Sequence, residues 1–328
     1  MAWPERIAVV GAGYMGRGIA QVFAQAGIPC TLADISVERA AAAVELLVAD
    51  AARHESDGLV PPGSSAEARS QLLAADSVAD AVSGADYVVE SVFEDRGVKV
   101  DALMQIDAAA SPVAVISTNT SAIAIQELSR GIRDTRRFLG VHWFNPPQFV
   151  PGVELIPSRD TSTNVLEAVE GLLARVGKRT ARVADTPGFV GNRLQYALFQ
   201  EAAAIVEEGI ASPEIVDEVV RSTFGFRLPI FGPFAIADMA GLDIYSGSYA
   251  TFVSKFGDRF AVPQILSELV SSGAYGAKTG SGFVIRSKAQ AAAMAARRDR
   301  AYVALGKVVD GFEREARGEE AEEPGQPS

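Results

Sequence analysis

The chain has 328 residues, a formal net charge of -11, 48% hydrophobic and 22% charged residues. That length exceeds one usual core and points to two domains, and the composition is that of an ordinary globular protein. The acidic balance excludes nucleic acid as an expected partner, because phosphate backbones need a basic surface.

One cysteine, Cys30, leaves no intramolecular disulfide and no thiolate metal site, so no metal is expected and a reducing, cytoplasmic setting is the default. The opening MAWPERIAVVGAG has neither a signal-peptide core nor a membrane span, and the expectation is a soluble, unexported protein.

From residue 6 to about 184, short β-rich apolar runs alternate with helical stretches. The candidate strands are IAVVG, CTLAD, DYVVESV, PVAVIST, FLGVHWF, VELIP and RTARVAD. Residues 15–26 lie between the first two, with Ile19, Val22 and Phe23 at helical spacing. This order predicts βαβ units, and hence a mostly parallel sheet covered by helices on both faces. Residues 36–82 read as Ala-rich and mostly helical, broken by DGLVPPGSS into an inserted helical hairpin.

The pattern changes at DTPGF, residues 185–189. Beyond it, Leu194, Leu198, Ala202, Ile205 and Val206 fall on one helical stripe that stops at Gly209, and Ser212 with Pro213 opens a further helix. The expected organisation is a sheet domain over 1–186, a helical substrate and dimerisation domain over 187–290, and a terminal helix with a solvated acidic tail over 291–328.

Gly11, Gly13 and Gly16 form G-x-G-x-x-G between an apolar strand and a helix. The first glycine permits a tight turn, the second lets backbone approach a pyrophosphate, and the third allows close packing of helix on strand. Asp34 closes the next strand, placed to accept from a ribose 2′-hydroxyl and to repel a 2′-phosphate, which favours NAD over NADP. The plainer alternative, glycines as turn residues only, is weakened by the strand, helix and acid around them. The fold class follows as α/β, a Rossmann-type doubly wound parallel sheet with an all-helical C-terminal domain.

Oxidising an alcohol requires a base for the hydroxyl proton while hydride departs, and imidazole has a suitable pKa. There are two histidines. His54 sits in the polar stretch RHESDG and reads as a solvent-exposed helix residue. His142 ends an apolar strand in FLGVHWFNPP, where open α/β sheets place reacting groups. Glu154 opens the next apolar run, close enough in sequence to return beside the imidazole and fix its tautomer, or else to serve as an ordinary surface acid.

The ordered series GAGYMGRGIA, Asp34, VVESVFEDRGVK, STNTS, HWFNPP with Glu154, DTPGFVGNR, GPFAIADMAGLD and KTGSGF resembles the 3-hydroxyacyl-CoA dehydrogenase family over residues 6 to about 286. The resemblance implies that His142 is the base in oxidation and the acid in reduction, with Glu154 its partner. Ser121 would bond the substrate oxygen, Asn192 would line the same pocket from the second domain, and Asn145 would help position histidine and substrate. Tyr14 and Met15, between the glycines, Glu94 and Lys99, and Asn119 beside the nicotinamide, would complete the cofactor contacts.

Two departures bear on substrate. FGFRLPIFGPF is one residue longer than the family's approach to GPF and adds Arg227. With NRLQYALFQEAAAIVEEGIASPEIVD and the end MAARRDRAYVALGKVV, it is similar to the branch containing lambda-crystallin, L-gulonate 3-dehydrogenase and carnitine dehydrogenase. Arg227 is either an anchor for a free carboxylate or a brace for the loop or a dimer. Acyl-CoA members usually offer lysines to the CoA phosphates from the helical insertion, yet this chain has no lysine before Lys99. The reading is NAD-dependent oxidation of an L-3-hydroxyacyl-CoA, with a free 3-hydroxy acid of the gulonate or carnitine type, or a non-catalytic crystallin-like NAD-binding protein, as alternatives. A homodimer through the C-terminal domain is expected, and no membrane partner.

Overall fold

The computed structural model describes residues 4–318, so the last part of the acidic tail, 319–328, lies outside the described residues. The chain divides into two compact units, Met1–Gln200 and Glu201–Ser328.

In the first unit eight strands form one sheet: β1 (Ile7–Val10), β2 (Cys30–Ala33), β3 (Leu72–Ala74), β4 (Tyr87–Glu90), β5 (Val115–Thr118), β6 (Phe138–Trp143), β7 (Gly152–Pro157) and β8 (Arg179–Arg182). Their spatial order is β3-β2-β1-β4-β5-β6-β7-β8. All pairs are parallel except β6 with β7. The central strands read as unbroken apolar runs because both faces are covered. Ile7 and Val9 point into one core with helices α1 (Tyr14–Gln25), α2 (Val37–Ser56) and, later in the chain, α7 (Thr163–Arg175). Ala8, Val10, Val88 and Ile116 point into the other, under α4 (Val78–Ser83), α5 (Arg96–Ala109) and α6 (Ile125–Leu128).

The segment 36–82 departs from its mostly helical expectation. The hairpin is present as α2 and α3 (Ser64–Gln71), but β3 follows at once and adds a parallel edge to β2. Three residues are too few to show a period in sequence; pairing with β2 makes them a strand. His54 is corrected too. It is buried, its Nδ1 3.2 Å from Gln21 Nε2 and its ring edge-on to Phe149 at 5.0 Å.

Helix α8 (Gly191–Glu207) carries the chain out of the first compact unit, which ends after Gln200. The start of α8 is tied back to the sheet by Glu154, as described below. The second unit continues with α9 (Pro213–Ser222), α10 (Phe224–Arg227), α11 (Pro233–Ala240), α12 (Leu242–Phe256), α13 (Gln264–Ser271) and α14 (Lys288–Ala316). Ser212 caps α9 by accepting from Ile215 N.

The second unit's small core gathers Ala237, Leu242 and Leu266 with Tyr245, Tyr249 and Phe283. One buried carboxylate organises its turns. Asp238 accepts from the backbone amides of Phe283, Val284 and Ile285 at 2.7–2.9 Å, and its carbonyl accepts from Ala277 N. A Cβ on Gly282 would sit 2.2 Å from that carboxylate. The motifs around IADMAG and KTGSGF are therefore two halves of one structural joint. Replacing Asp238 with Ala leaves three backbone amides without their acceptor, that of Ile285 buried, and urea unfolding should show a loss of about 1–3 kcal/mol.

Candidate active site

The sheet order reverses between β1 and β4, which opens a crevice at their carboxyl ends. A cleft of about 1610 Å³ occupies it, lined by the turn after β1, the ends of β2, β4, β5 and β6, and the first turn of α8.

The three glycines have three different reasons. Gly11 has φ +99°, and a Cβ there would lie 2.5 Å from the carbonyl of Ser91, so the turn needs glycine on both counts. Gly16 packs its α-carbon onto the Gly11 carbonyl, which a Cβ would strike at 1.9 Å. Gly13 has no such neighbour: its Cβ would meet nothing within 4 Å and would project where the cleft is lined. It also stands at the N-cap of α1, which no side chain caps, leaving amides and the positive helix end for an anion.

Asp34 reaches back to this turn. Its Oδ2 accepts from Ala12 N at 2.8 Å, and its Oδ1 accepts from Ile35 N and pairs with Arg39 Nε at 3.0 Å. Tyr14, Met15 and Asp34 all line the cleft.

At the other end, the antiparallel register of β6 and β7 sets His142 directly opposite Glu154. Both are buried, and Nδ1 lies 2.8 Å from Oε2. With a carboxylate as partner, Nδ1 is the donor, and Nε2 is left to exchange protons. The other carboxylate oxygen accepts from Val190 N at 3.0 Å and Gly191 N at 2.8 Å. The imidazole lies between two rings, with Phe144 at 4.5 Å and Phe189 at 5.6 Å. Phe189 holds φ +48°, an uncommon conformation for a bulky residue, at the turn that leads into α8.

Ser121, Asn145 and Asn192 line the cleft beside His142. Asn192 Nδ2 donates to the Ser121 carbonyl at 2.9 Å, so α8 and the loop after β5 meet there within the first unit. Asn119 accepts from Trp143 N through its Oδ1 at 3.0 Å, fastening the end of β6.

Glu94 and Lys99 differ from each other in placement. Glu94 lines the cleft and accepts from Thr120 Oγ1, Ser121 N and Ser121 Oγ at 2.6, 2.8 and 3.2 Å. Burial pushes its carboxyl up, but the Thr120 hydroxyl, the Lys99 ammonium and the Ser121 amide outweigh burial and hold it below the usual range. Its support of the loop is thus complete above the ordinary carboxylate pKa and is lost only as pH falls through the lower, folded value.

Lys99 is not among the residues that line the cleft. Its side chain is 1% exposed, and its ammonium lies 2.9 Å from Glu90 and 3.3 Å from Glu94. It meets the cleft wall through Glu94 and through the Val92 carbonyl, to which it donates at 3.3 Å. Glu90, absent from the sequence expectations, is fully buried and also accepts from Thr118 Oγ1 at 2.6 Å. Its signal was a carboxylate ending the otherwise apolar run YVVE. Lys178 was missed as well; its ammonium is turned inward onto the carbonyls of Pro147 and Val150, bracing the loop after β6.

Arg227, on α10, belongs to the second unit. It lines a small cavity of about 300 Å³ with Ile236, Met239, Ala240, Arg298 and Tyr302, and its Nε is buried without a hydrogen-bond partner.

The model of the 3-hydroxyacyl-CoA dehydrogenase NAD-binding domain matches residues 6–186, and that of the C-terminal domain matches residues 188–286. The chain belongs to the 3-hydroxyacyl-CoA dehydrogenase family. It is 32% identical over 310 residues to 5-formyl-3-hydroxy-2-methylpyridine 4-carboxylate 5-dehydrogenase of Mesorhizobium japonicum, a match spanning 94% of this chain and 99% of that one. It is also 32% identical over 282 residues to the probable 3-hydroxybutyryl-CoA dehydrogenase of Bacillus subtilis, across 85% and 96% of the two chains. Among solved structures, the 3-hydroxyacyl-CoA dehydrogenase of Archaeoglobus fulgidus superposes with a TM-score of 0.74 at 30% identity, covering 92% and 99%.

This dehydrogenase is therefore an NAD-dependent oxidoreductase, and the glycine turn fits that cofactor. Packing within the chain explains Gly11 and Gly16; Gly13 is not constrained by packing, and its place in the cleft lining fits an approaching pyrophosphate. Gly13→Val should accordingly raise the dissociation constant for NADH about tenfold or more in a fluorescence titration, at an unchanged unfolding temperature. Gly16→Val should lower the unfolding temperature itself.

Proposed function

We propose that the protein oxidises an L-3-hydroxyacyl-CoA reversibly to the 3-oxoacyl-CoA, and that the buried His142–Glu154 pair at the end of the cofactor cleft carries the reaction. Bound NAD supplies the acceptor for the hydride leaving C3. His142 Nε2, free because Nδ1 is committed to Glu154, takes the proton of the C3 hydroxyl. Glu154, held by two backbone amides, orients the imidazole and stabilises the imidazolium that results. Ser121 and Asn192 fix the C3 oxygen beside the imidazole, and Asn145 positions the group from the loop after β6. In reduction the same imidazolium returns its proton to the oxygen.

NADH formation at 340 nm with L-3-hydroxybutyryl-CoA tests the reading. His142→Gln should lower kcat by about 10²–10⁴-fold with NADH binding retained. An unaltered kcat would remove His142 from the chemistry.

A second reading, oxidation of a free 3-hydroxy acid with Arg227 on its carboxylate, draws on the unpartnered Nε of Arg227. Turnover of L-gulonate, carnitine or 3-hydroxybutyrate in the same assay, without turnover of the thioester, would favour it.

A homodimer through the helical domain is supported by the apolar side chains that one chain leaves exposed, among them Phe234, Val303 and Phe312. Light scattering after size exclusion should give twice the chain mass. Cys30, a buried free thiol, supports a reducing, cytoplasmic setting.

A further inference from the structure

Three elements of the helical unit wall its cavity of about 300 Å³. Ile236, Met239 and Ala240 stand at i, i+3 and i+4 on α11, and Arg298 and Tyr302 stand four apart on α14, so each group shares one side of its helix. Arg227 closes the wall from the end of α10. The ring of Tyr302 is held edge-on by Phe226 at 5.6 Å and by Phe231 at 6.4 Å. All six lining residues belong to the second unit, and none of them lines the cofactor cleft.

The polar groups of this wall are free to meet a ligand. Among the described residues the Arg227 guanidinium makes no ion pair and no hydrogen bond, and its Nε is buried. The Tyr302 hydroxyl has no partner among them either. Arg298 pairs only with Asp299, its neighbour in sequence, at 2.7 Å, and both side chains are partly exposed, so that pair opens at little cost. In a chain of net charge -11, two guanidiniums and a phenol thus converge on one small space beside an apolar helix face. A buried donor left unmet destabilises a fold, which makes Arg227 a poor brace and a good receptor for an anion.

We infer that the cavity between α10, α11 and α14 binds a small organic carboxylate that the enzyme does not oxidise. Nε and an Nη of Arg227 offer the side-on fork that meets both oxygens of a carboxylate, and Arg298 and the Tyr302 hydroxyl supply further donors. Ile236, Met239 and Ala240 cover a short hydrocarbon body, which a bare phosphate or sulfate lacks. The volume lies at the lower end of small-molecule sites and suits an acid of few carbons. This use of Arg227 differs from the second reading above, in which the acid held there is the substrate.

Calorimetric titration of the full chain with butyrate, against sulfate at equal ionic strength, reads the site without turnover. The expected Kd for butyrate is about 1 mM or tighter, with sulfate bound about tenfold more weakly or not at all. That Kd should stay the same when the enzyme is first saturated with NAD and acetoacetyl-CoA, an oxidised pair that cannot react. Arg227→Met should raise it about tenfold or more, and Arg298→Met should raise it by a smaller factor. Without butyrate, Arg227→Met should unfold at the same temperature or a higher one, because an unmet buried donor has been removed. A lowered unfolding temperature would mark Arg227 as a brace and overturn the inference. So would no heat of binding at about 20 mM butyrate, equal affinity for sulfate, or an unaltered Kd in both arginine variants. Displacement of butyrate by acetoacetyl-CoA would overturn the separate site and give Arg227 back to the substrate, leaving the hydride-transfer reading intact.

Discussion

The carboxylate of Glu154 is the point on which the site depends. One oxygen accepts from His142 and the other from two consecutive backbone amides at the start of α8. A buried charge is tolerated only when its lone pairs are met, and here a carboxylate on β7 is met from two other parts of the chain: β6 and the turn into α8. The same bonds that fix the imidazole tautomer also fasten the first turns of α8 to the sheet. Asn192 is brought to the Ser121 loop as a result, and the compact first unit extends past the change of pattern at 185–189.

A second set of buried charges does comparable work on the opposite side of the cleft. Lys99 lies between Glu90 and Glu94, and Glu94 in turn holds Thr120 and Ser121. A lysine that looks in sequence like a ligand contact is instead an internal strut, and the carboxylate it supports faces the cleft. One network positions the serine from β4 and α5, the other the histidine from β6 and β7, and Asn192 joins them at the Ser121 carbonyl. Preorganisation of this kind places donors before the substrate oxygen arrives, which is the main source of electrostatic catalysis.

Much of this was legible in the sequence, and the exceptions share a cause. The glycine turn and its acid lie within two dozen residues of one another, so local spacing describes them. His142 and Glu154 are twelve apart on either side of one loop, and strand periodicity brings them face to face. Strand β3 was illegible because three residues carry no period. His54 was misread because the residues that bury it, Gln21 and Phe149, come from distant segments. The partner of Lys99 was hidden for the same reason, since Glu90 comes beside it only when β4 and α5 pack. Polar residues that are satisfied by distant partners cannot be told from surface ones by their neighbours in sequence.

The antiparallel pairing of β6 with β7, the single reversal in an otherwise parallel sheet, has a further consequence for how this site tolerates change. The loop joining the two strands is bounded by their register and not by its own length, so residues gained or lost between 144 and 151 leave His142 and Glu154 opposed. A residue gained or lost inside either strand has the reverse effect, because side chains alternate between faces and one step turns the carboxylate to the wrong side of the sheet. The register alone thus tolerates variation in loop length, which is limited instead by Phe144 against the imidazole and by Lys178 on the Pro147 and Val150 carbonyls, whereas the ladder from Leu139–Pro157 to Trp143–Val153 admits substitution and not insertion.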